Sequence, residues 1–234
     1  MADFDLAART SADAFARLAV EMHDAPGVEE TIDAVVQFAL QALNCTYAGV
    51  ALHRRGSKPE IAAVTDPVVA EVYELQIDHQ DGPLVTALRD RSNILIRDTT
   101  TETRWPLWTA KVAQLGVRSV LDVSLTTGVG PTASVGVLGL YSPDPDAFGP
   151  DDEAVAHILA RHASVAVATA RHEETMAQAV DARKLVGQAM GILMERFDVD
   201  GDRAFAILKR YSQDNNTKLR DVAQQLIDTR KLPH

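Results

Sequence analysis

Gly187-Gln188-Ala189-Met190-Gly191-Ile192-Leu193-Met194 places two glycines one turn apart inside a stretch that otherwise reads as a helix. A glycine in a helix interior costs about 1 kcal/mol relative to alanine, so a pair suggests that something approaches the backbone closely. Leu185, Ala189, Ile192 and Leu193 recur at helical spacing and form a core face. Lys184, Gln188, Gly191 and Glu195 fall on another face, polar and with a patch of bare backbone. Downstream, about Asp202 to Ser212 predicts a second helix with Ala204, Phe205, Ile207, Leu208 and Tyr211 turned inward. After a turn at Asp214-Asn215-Asn216, a third helix from Lys218 to Arg230 repeats the pattern with Leu219, Val222, Ala223, Leu226 and Ile227. Three short helices sharing one small core leave many polar groups outside.

The stretch from about Ala182 to Pro233 resembles the ANTAR family of RNA-binding transcription antiterminators. The resemblance rests on Gln188-Ala189-Met190-Gly191-Ile192-Leu193-Met194, Ala204-Phe205 with Leu208, Ser212, Lys218-Leu219 and Asp221-Val222-Ala223, in order across all three helices. One departure is Met190, where many members carry a basic or small polar residue. The resemblance implies binding to tandem stem-loops of a nascent transcript, with bases of the short loops read and an overlapping terminator hairpin prevented. Single-stranded loops are read by stacking and by hydrogen bonds to exposed base edges. Lys184, Gln188, Ser212, Asn216, Lys218 and Arg220 have suitable side chains, and Gly191 offers access to the helix surface. These seven are the expected RNA-binding residues. For each polar one the plain alternative is a solvated surface residue, and for the glycines it is close packing against neighbouring helices.

Upstream, residues from about Val28 to Leu43 keep helical spacing through Ile32, Val35, Val36, Ala39, Leu40 and Leu43, and Ser11 to His23 reads as an earlier helix. Strand-like runs follow at Tyr47–His53, Glu60–Thr65, Ile94–Arg97, Ser119–Leu125 and Val135–Tyr141. Arg54-Arg55-Gly56-Ser57-Lys58-Pro59 and Thr127-Gly128-Val129-Gly130-Pro131 read as hairpin turns. Helical pieces lie near Val68–Leu75, Pro83–Arg89 and Trp105–Leu115. The expected fold class is α+β with a mainly antiparallel sheet flanked by helices. This part, roughly Val28 to Ala170, resembles a GAF domain. The residues behind that are Asp81-Gly82-Pro83 leading to Ala87-Leu88, Ile94-Leu95-Ile96 with Arg97-Asp98, Gly116-Val117-Arg118-Ser119-Val120-Leu121, and the run Val135–Ser142. The resemblance implies a sensor domain over residues 1–170 and an RNA-binding helical module over 171–234.

Between the two, Asp151 to about Phe197 contains no proline and no glycine before Gly187, which predicts one long helix capped near Asp151 or Asp152. Val155, Ile158, His162, Val165, Thr169, His172, Met176, Ala179, Arg183 and Val186 alternate spacings of three and four. That imperfect coiled-coil seam, with four polar members, predicts a homodimer.

Charge divides unevenly along the 234 residues. From Asp181 onward about 10 Lys and Arg face about 8 Asp and Glu, so of the whole-chain −10 about −12 lies on the remainder and +2 on the tail. A basic tail on an acidic body suits a nucleic-acid contact joined to a regulatory domain. Cys45 is the single cysteine, which excludes an intrachain disulfide and a cysteine-rich metal cluster. The acidic start Met1-Ala2-Asp3-Phe4-Asp5 lacks the features of a signal peptide, and no run approaches the ~20 apolar residues of a membrane span. A cytoplasmic protein without membrane contact is expected.

Catalysis is not expected either. Cys45 at a strand start reads as a small core residue, the histidines show no zinc spacing, and phosphate-binding glycine loops and serine elbows are absent. Trp105-Pro106-Leu107-Trp108 holds both tryptophans, which either line a ligand pocket for an unidentified small molecule or plug the domain's own core. Aromatic clusters are usually packing, and packing is the favoured reading. The sequence identifies no cofactor.

Overall fold

A computed structural model of the protein describes residues 20, 25, 27–53, 57–128 and 134–231. The expected helix Ser11–His23 lies outside them except for one residue, as do parts of both expected hairpin turns. Contacts divide the chain into two compact units, Met1–Arg171 and His172–His234.

The first unit contains α1 (Val28–Ala42), whose Ile32, Val35, Val36 and Ala39 are buried at the predicted helical spacing. Five strands follow: β1 (Tyr47–Leu52), β2 (Glu60–Val64), β3 (Ile94–Ile96), β4 (Ser119–Thr126) and β5 (Ser134–Ser142). They form one sheet in the order β2-β1-β5-β4-β3, with every neighbouring pair antiparallel. Between β2 and β3 lie α2 (Pro67–His79) and α3 (Pro83–Asp90), and between β3 and β4 lies α4 (Pro106–Gln114). Each of these three helices opens on proline at a first-turn position, where a missing N–H costs nothing.

Alternation along the strands sends side chains to two cores. Leu121, Val123 and Leu125 of β4 join Leu138 and Leu140 of β5 against α1 and the start of the long helix. Val120, Val137, Tyr141 and Ala51 face the other way, against Val69, Val72 and Tyr73 of α2 and Leu84 and Ala87 of α3. Gln76, fully buried in α2, accepts from the Leu84 N–H at 2.6 Å and donates to the Val72 carbonyl at 3.0 Å, tying the start of α3 to α2.

The long helix α5 runs Pro150–Phe197, starting one residue before the expected cap. Pro150 takes the first turn, and Asp152 reaches back to accept from the Gly149 N–H at 2.9 Å, so the aspartate closes the helix start from inside it. Residues 172–181 of this helix are exposed throughout.

In the second unit, the end of α5 packs with α6 (Gly201–Asp214) and α7 (Leu219–Thr229). Their common core is built from small residues and leucines: Ala189, Leu193, Ala204, Leu208, Val222, Ala223 and Leu226. Asp200 caps α6 by accepting from the Arg203 N–H at 2.8 Å, and the Arg196 guanidinium donates to the Arg230 carbonyl at 2.6 Å, joining the ends of α5 and α7. Phe205 corrects the sequence reading: expected inward, it is 41% exposed. Ala204, Leu208 and Tyr211 already occupy the inward stripe of α6, and residue 205 lies about 100° further round the helix.

Candidate functional site

Lys184, Gln188 and Gly191 occur at intervals of four and three on α5 and are all exposed, as the polar-face reading requires. A side chain at Gly187 or Gly191 would meet nothing within 4 Å. Among the described residues nothing approaches these glycines closely, so their lack of a side chain leaves a strip of helix backbone facing open space. Met190, between them, is half-buried; its methyl group lies 3.7 Å from where a side chain on Gly201 would begin. The residue that departs from the family pattern is therefore used in packing against the start of α6.

The remaining expected residues belong to the turn between α6 and α7 and the first turn of α7. Ser212 is half-buried, and its hydroxyl donates to the Thr217 carbonyl at 2.7 Å. The Thr217 N–H returns to the Ser212 carbonyl at 3.0 Å, and the Asn215 amide donates to the Tyr211 carbonyl at 3.1 Å. Asn216 is exposed and left-handed, with φ 49°, a conformation that asparagine tolerates better than most residues. Lys218 is exposed at the N-cap of α7. Arg220, also exposed, is paired with Asp221 at 3.1 Å, which holds part of its charge. The expected residues thus form two groups, one on α5 and one on the α6–α7 turn. Ser212 serves the turn's own structure.

Trp105 and Trp108 are 6% and 4% exposed and meet edge to face, with ring centroids 6.4 Å apart. Trp108 donates its indole N–H to the Val72 carbonyl at 3.4 Å, and the Arg104 guanidinium lies over the Trp105 ring at 4.5 Å. Both rings belong to the core beneath α2 and α4. The outer part of Trp108 contributes to an open cleft of about 360 Å³ with Leu75, His79, Asp81, Leu107 and Lys111. Cys45 is half-buried, and burial pushes its thiol up to about 11, away from the reactive thiolate.

Sequence reading passed over one polar group. Asp122, in the middle of the apolar run of β4, is fully buried with the hydroxyls of Tyr73 and Tyr141 close by. Its signal in the sequence is a lone carboxylate among alternating Val and Leu, which a solvated strand face would equally explain. Among the described residues no group of three or more His, Cys, Asp or Glu side chains is arranged to hold a metal ion, and no helix is long and apolar enough to cross a membrane.

A family model described as GAF domain matches residues 25–168, and one described as ANTAR domain matches residues 174–227. No curated protein matches the chain. Among solved structures, the GAF domain of an Acinetobacter phosphoenolpyruvate-protein phosphotransferase is 14% identical, with a TM-score of 0.55, over 71% of this chain and 98% of that one. Free methionine-R-sulfoxide reductase from Neisseria meningitidis, in complex with its substrate, is 13% identical with a TM-score of 0.54, over 70% of this chain and 91% of that one. The photosensory core module of a Stigmatella aurantiaca phytochrome is 13% identical with a TM-score of 0.58, over 87% of this chain and 44% of that one. Such different proteins at such low identity share a fold and indicate no common ligand.

Proposed function

The chain belongs to the GAF domain family and carries an ANTAR domain toward its C-terminal end, and on that premise we propose that it is a transcription antitermination regulator whose C-terminal helices bind tandem stem-loop RNA under control of the N-terminal sensor domain. The observation that carries this reading is the exposed face of α5 that Lys184 and Gln188 share with the open backbone at Gly191. A flipped base or a phosphate can reach that surface, and an amide beside it can hydrogen-bond a base edge. Lys218 and Asn216 add a charge and an amide on a turn held rigid by Ser212. The protein acts by binding, without catalysis, in the cytoplasm where transcripts are made.

Two stem-loops call for two modules, and the proposed state is a homodimer along α5. Ile158, Val165 and Met176 of the seam are 45%, 62% and 55% exposed, so the seam is available to a second copy. Val155 and Val186, its first and last members, are half-buried within their own units. Tethering the second stem-loop contact strengthens binding by a factor of about 10² or more. A signal in the sensor domain biases helix pairing or exposure of the RNA face between two arrangements.

The second reading, a signalling adaptor whose C-terminal helices bind a protein partner, draws on the exposed Met194, Phe197 and Phe205 of the same module. Filter binding of the full chain to RNA with paired hexanucleotide loops separates the two. Salt-sensitive binding that requires both loops is expected, and its absence transfers the module to the adaptor reading.

A further inference from the structure

We propose that the sensor domain contains a buried proton-binding site at Asp122, enclosed by Tyr73 and Tyr141, whose occupancy governs how firmly α2 packs on the sheet. Three oxygens converge over Gly139 of β5. A side chain begun there would lie 2.6 Å from the Tyr73 hydroxyl and 2.9 Å from Asp122 Oδ1, and closer still to the Tyr141 hydroxyl, so the group exists only because residue 139 has no Cβ. Gly139 is the register partner of Asp122 across β4 and β5.

The oxygens are not equally satisfied. Tyr73 donates to the Gly49 carbonyl at 2.8 Å, which ties α2 to β1. Tyr141 donates to Asp122 Oδ1 at 3.5 Å, a long contact, and Oδ2 is buried with no hydrogen-bond partner among the described residues. Among the described residues the titratable groups facing Asp122 are these two phenols. The other elements packed on this part of the sheet contribute Ile94 from β3 and Leu84 and Ala87 from α3 to the same core. A carboxylate here has one weak donor and no cation, whereas a carboxylic acid is neutral and suits its surroundings. Burial accordingly pushes Asp122 up to about 7, with the Tyr141 hydrogen bond pulling the other way.

The proton exchanges with solvent, taken up by a carboxylate oxygen of Asp122 and released from it, with no other bond made or broken. With the folded value raised, its contribution to stability is full below the unfolded carboxylate value, about 4. As pH rises from there, the ratio of folded to unfolded protein falls about tenfold per unit until the folded value is passed. In the ionised state the charge sits beneath Tyr73, and α2, which carries that ring against the sheet, is the element it loosens.

Infrared difference spectra of the full chain from about pH 5 to about pH 9 read the site directly, since a protonated carboxyl has a carbonyl stretch distinct from a carboxylate. The expected result is one such band titrating near neutrality in the wild type and missing in Asp122→Asn. Tyr141→Phe, which removes the donor to the anion, should shift the midpoint upward and gives the same readout if the Asn variant does not fold. Hydrogen exchange in α2, taken as the ratio of wild type to Asp122→Asn at each pH, should rise as the band is lost. A carboxyl that titrates wholly in the ordinary range overturns the proposal. So does a midpoint unmoved by Tyr141→Phe, or a flat exchange ratio across the titration.

Discussion

The Ser212 hydroxyl donates to the Thr217 carbonyl at 2.7 Å, across the turn that carries Asn216 and Lys218. Residues on either side of the proposed RNA contact are thereby held by a side chain that points into the turn. Ser212→Ala should cost about 1 kcal/mol of module stability, the ordinary value of one such bond. RNA binding should weaken without losing discrimination between loop sequences. Thermal melting and binding to a matched and a mismatched loop check both halves.

Lys218 and Arg220 differ in how free their charges are, because Arg220 is paired with Asp221. Lys218→Ala should therefore weaken binding to any stem-loop RNA, and flatten its salt dependence, more than Arg220→Ala does. Gln188→Ala or Asn216→Ala should instead reduce discrimination between loops, by about 1–3 kcal/mol if each reads a base as in DNA contacts. Titrations at several salt concentrations with two loop sequences distinguish the patterns.

Open space at Gly191 makes two opposite substitutions informative. Gly191→Ala should stabilise the helix by about 1 kcal/mol, since the methyl group meets nothing and the glycine penalty is removed. Gly191→Leu should keep the fold, by circular dichroism, while abolishing RNA binding. Unfolding of the Leu variant would show that the glycine serves packing after all.

The proposed dimer has a test that leaves each protomer's core untouched. Met176 is 55% exposed in the stretch of α5 where every side chain is exposed. Met176→Lys should shift sedimentation toward the monomer at tens of micromolar protein and weaken tandem stem-loop binding, with helicity retained. A wild type that is monomeric with and without RNA would remove the dimer from the mechanism.

Asp98 and Arg118 make a two-armed ion pair at 2.7 and 3.0 Å, and the Arg118 hydrogen bond holds the Asp98 carboxyl well below the usual carboxylate range. A lowered folded value stabilises the protein above the unfolded value, about 4, and that contribution is lost as pH falls below it. Asp98→Asn should therefore be destabilised at neutral pH and show a shallower loss of stability on acidification. Urea midpoints measured from neutral pH downward check the sign.

Elements governed by local pattern were readable in advance. The helical period of Ile32, Val35, Val36 and Ala39, the strand-like runs of β4 and β5, and the absence of breakers between Pro150 and Gly187 each predict what the backbone does. The polar face of Lys184, Gln188 and Gly191 was readable for the same reason, since one helix places all three. Phe205 was misread because an apolar residue beside the inward stripe looks like a member of it, and only the small Ala189, Ala204 and Ala223 show how little room the core has. The Asp122 group was out of reach because its members come from α2, β4 and β5, which no spacing in one segment connects. Met190 shows the reverse case, a family position whose local packing gives it another task.

Gly139 turns the buried polar group into something that can be traced through descent. Any side chain at that position collides with two hydroxyls and a carboxylate, so alanine there is compatible only with lineages in which all three oxygens have been lost or have moved aside. The order of change is constrained: both hydroxyls and the carboxylate must be replaced or displaced first, and the methyl group can follow. Relatives retaining Gly139 with Asp122 and both tyrosines are those expected to respond to protons, and an ancestral series stepping through the reverse order should gain that response at the moment the carboxylate returns.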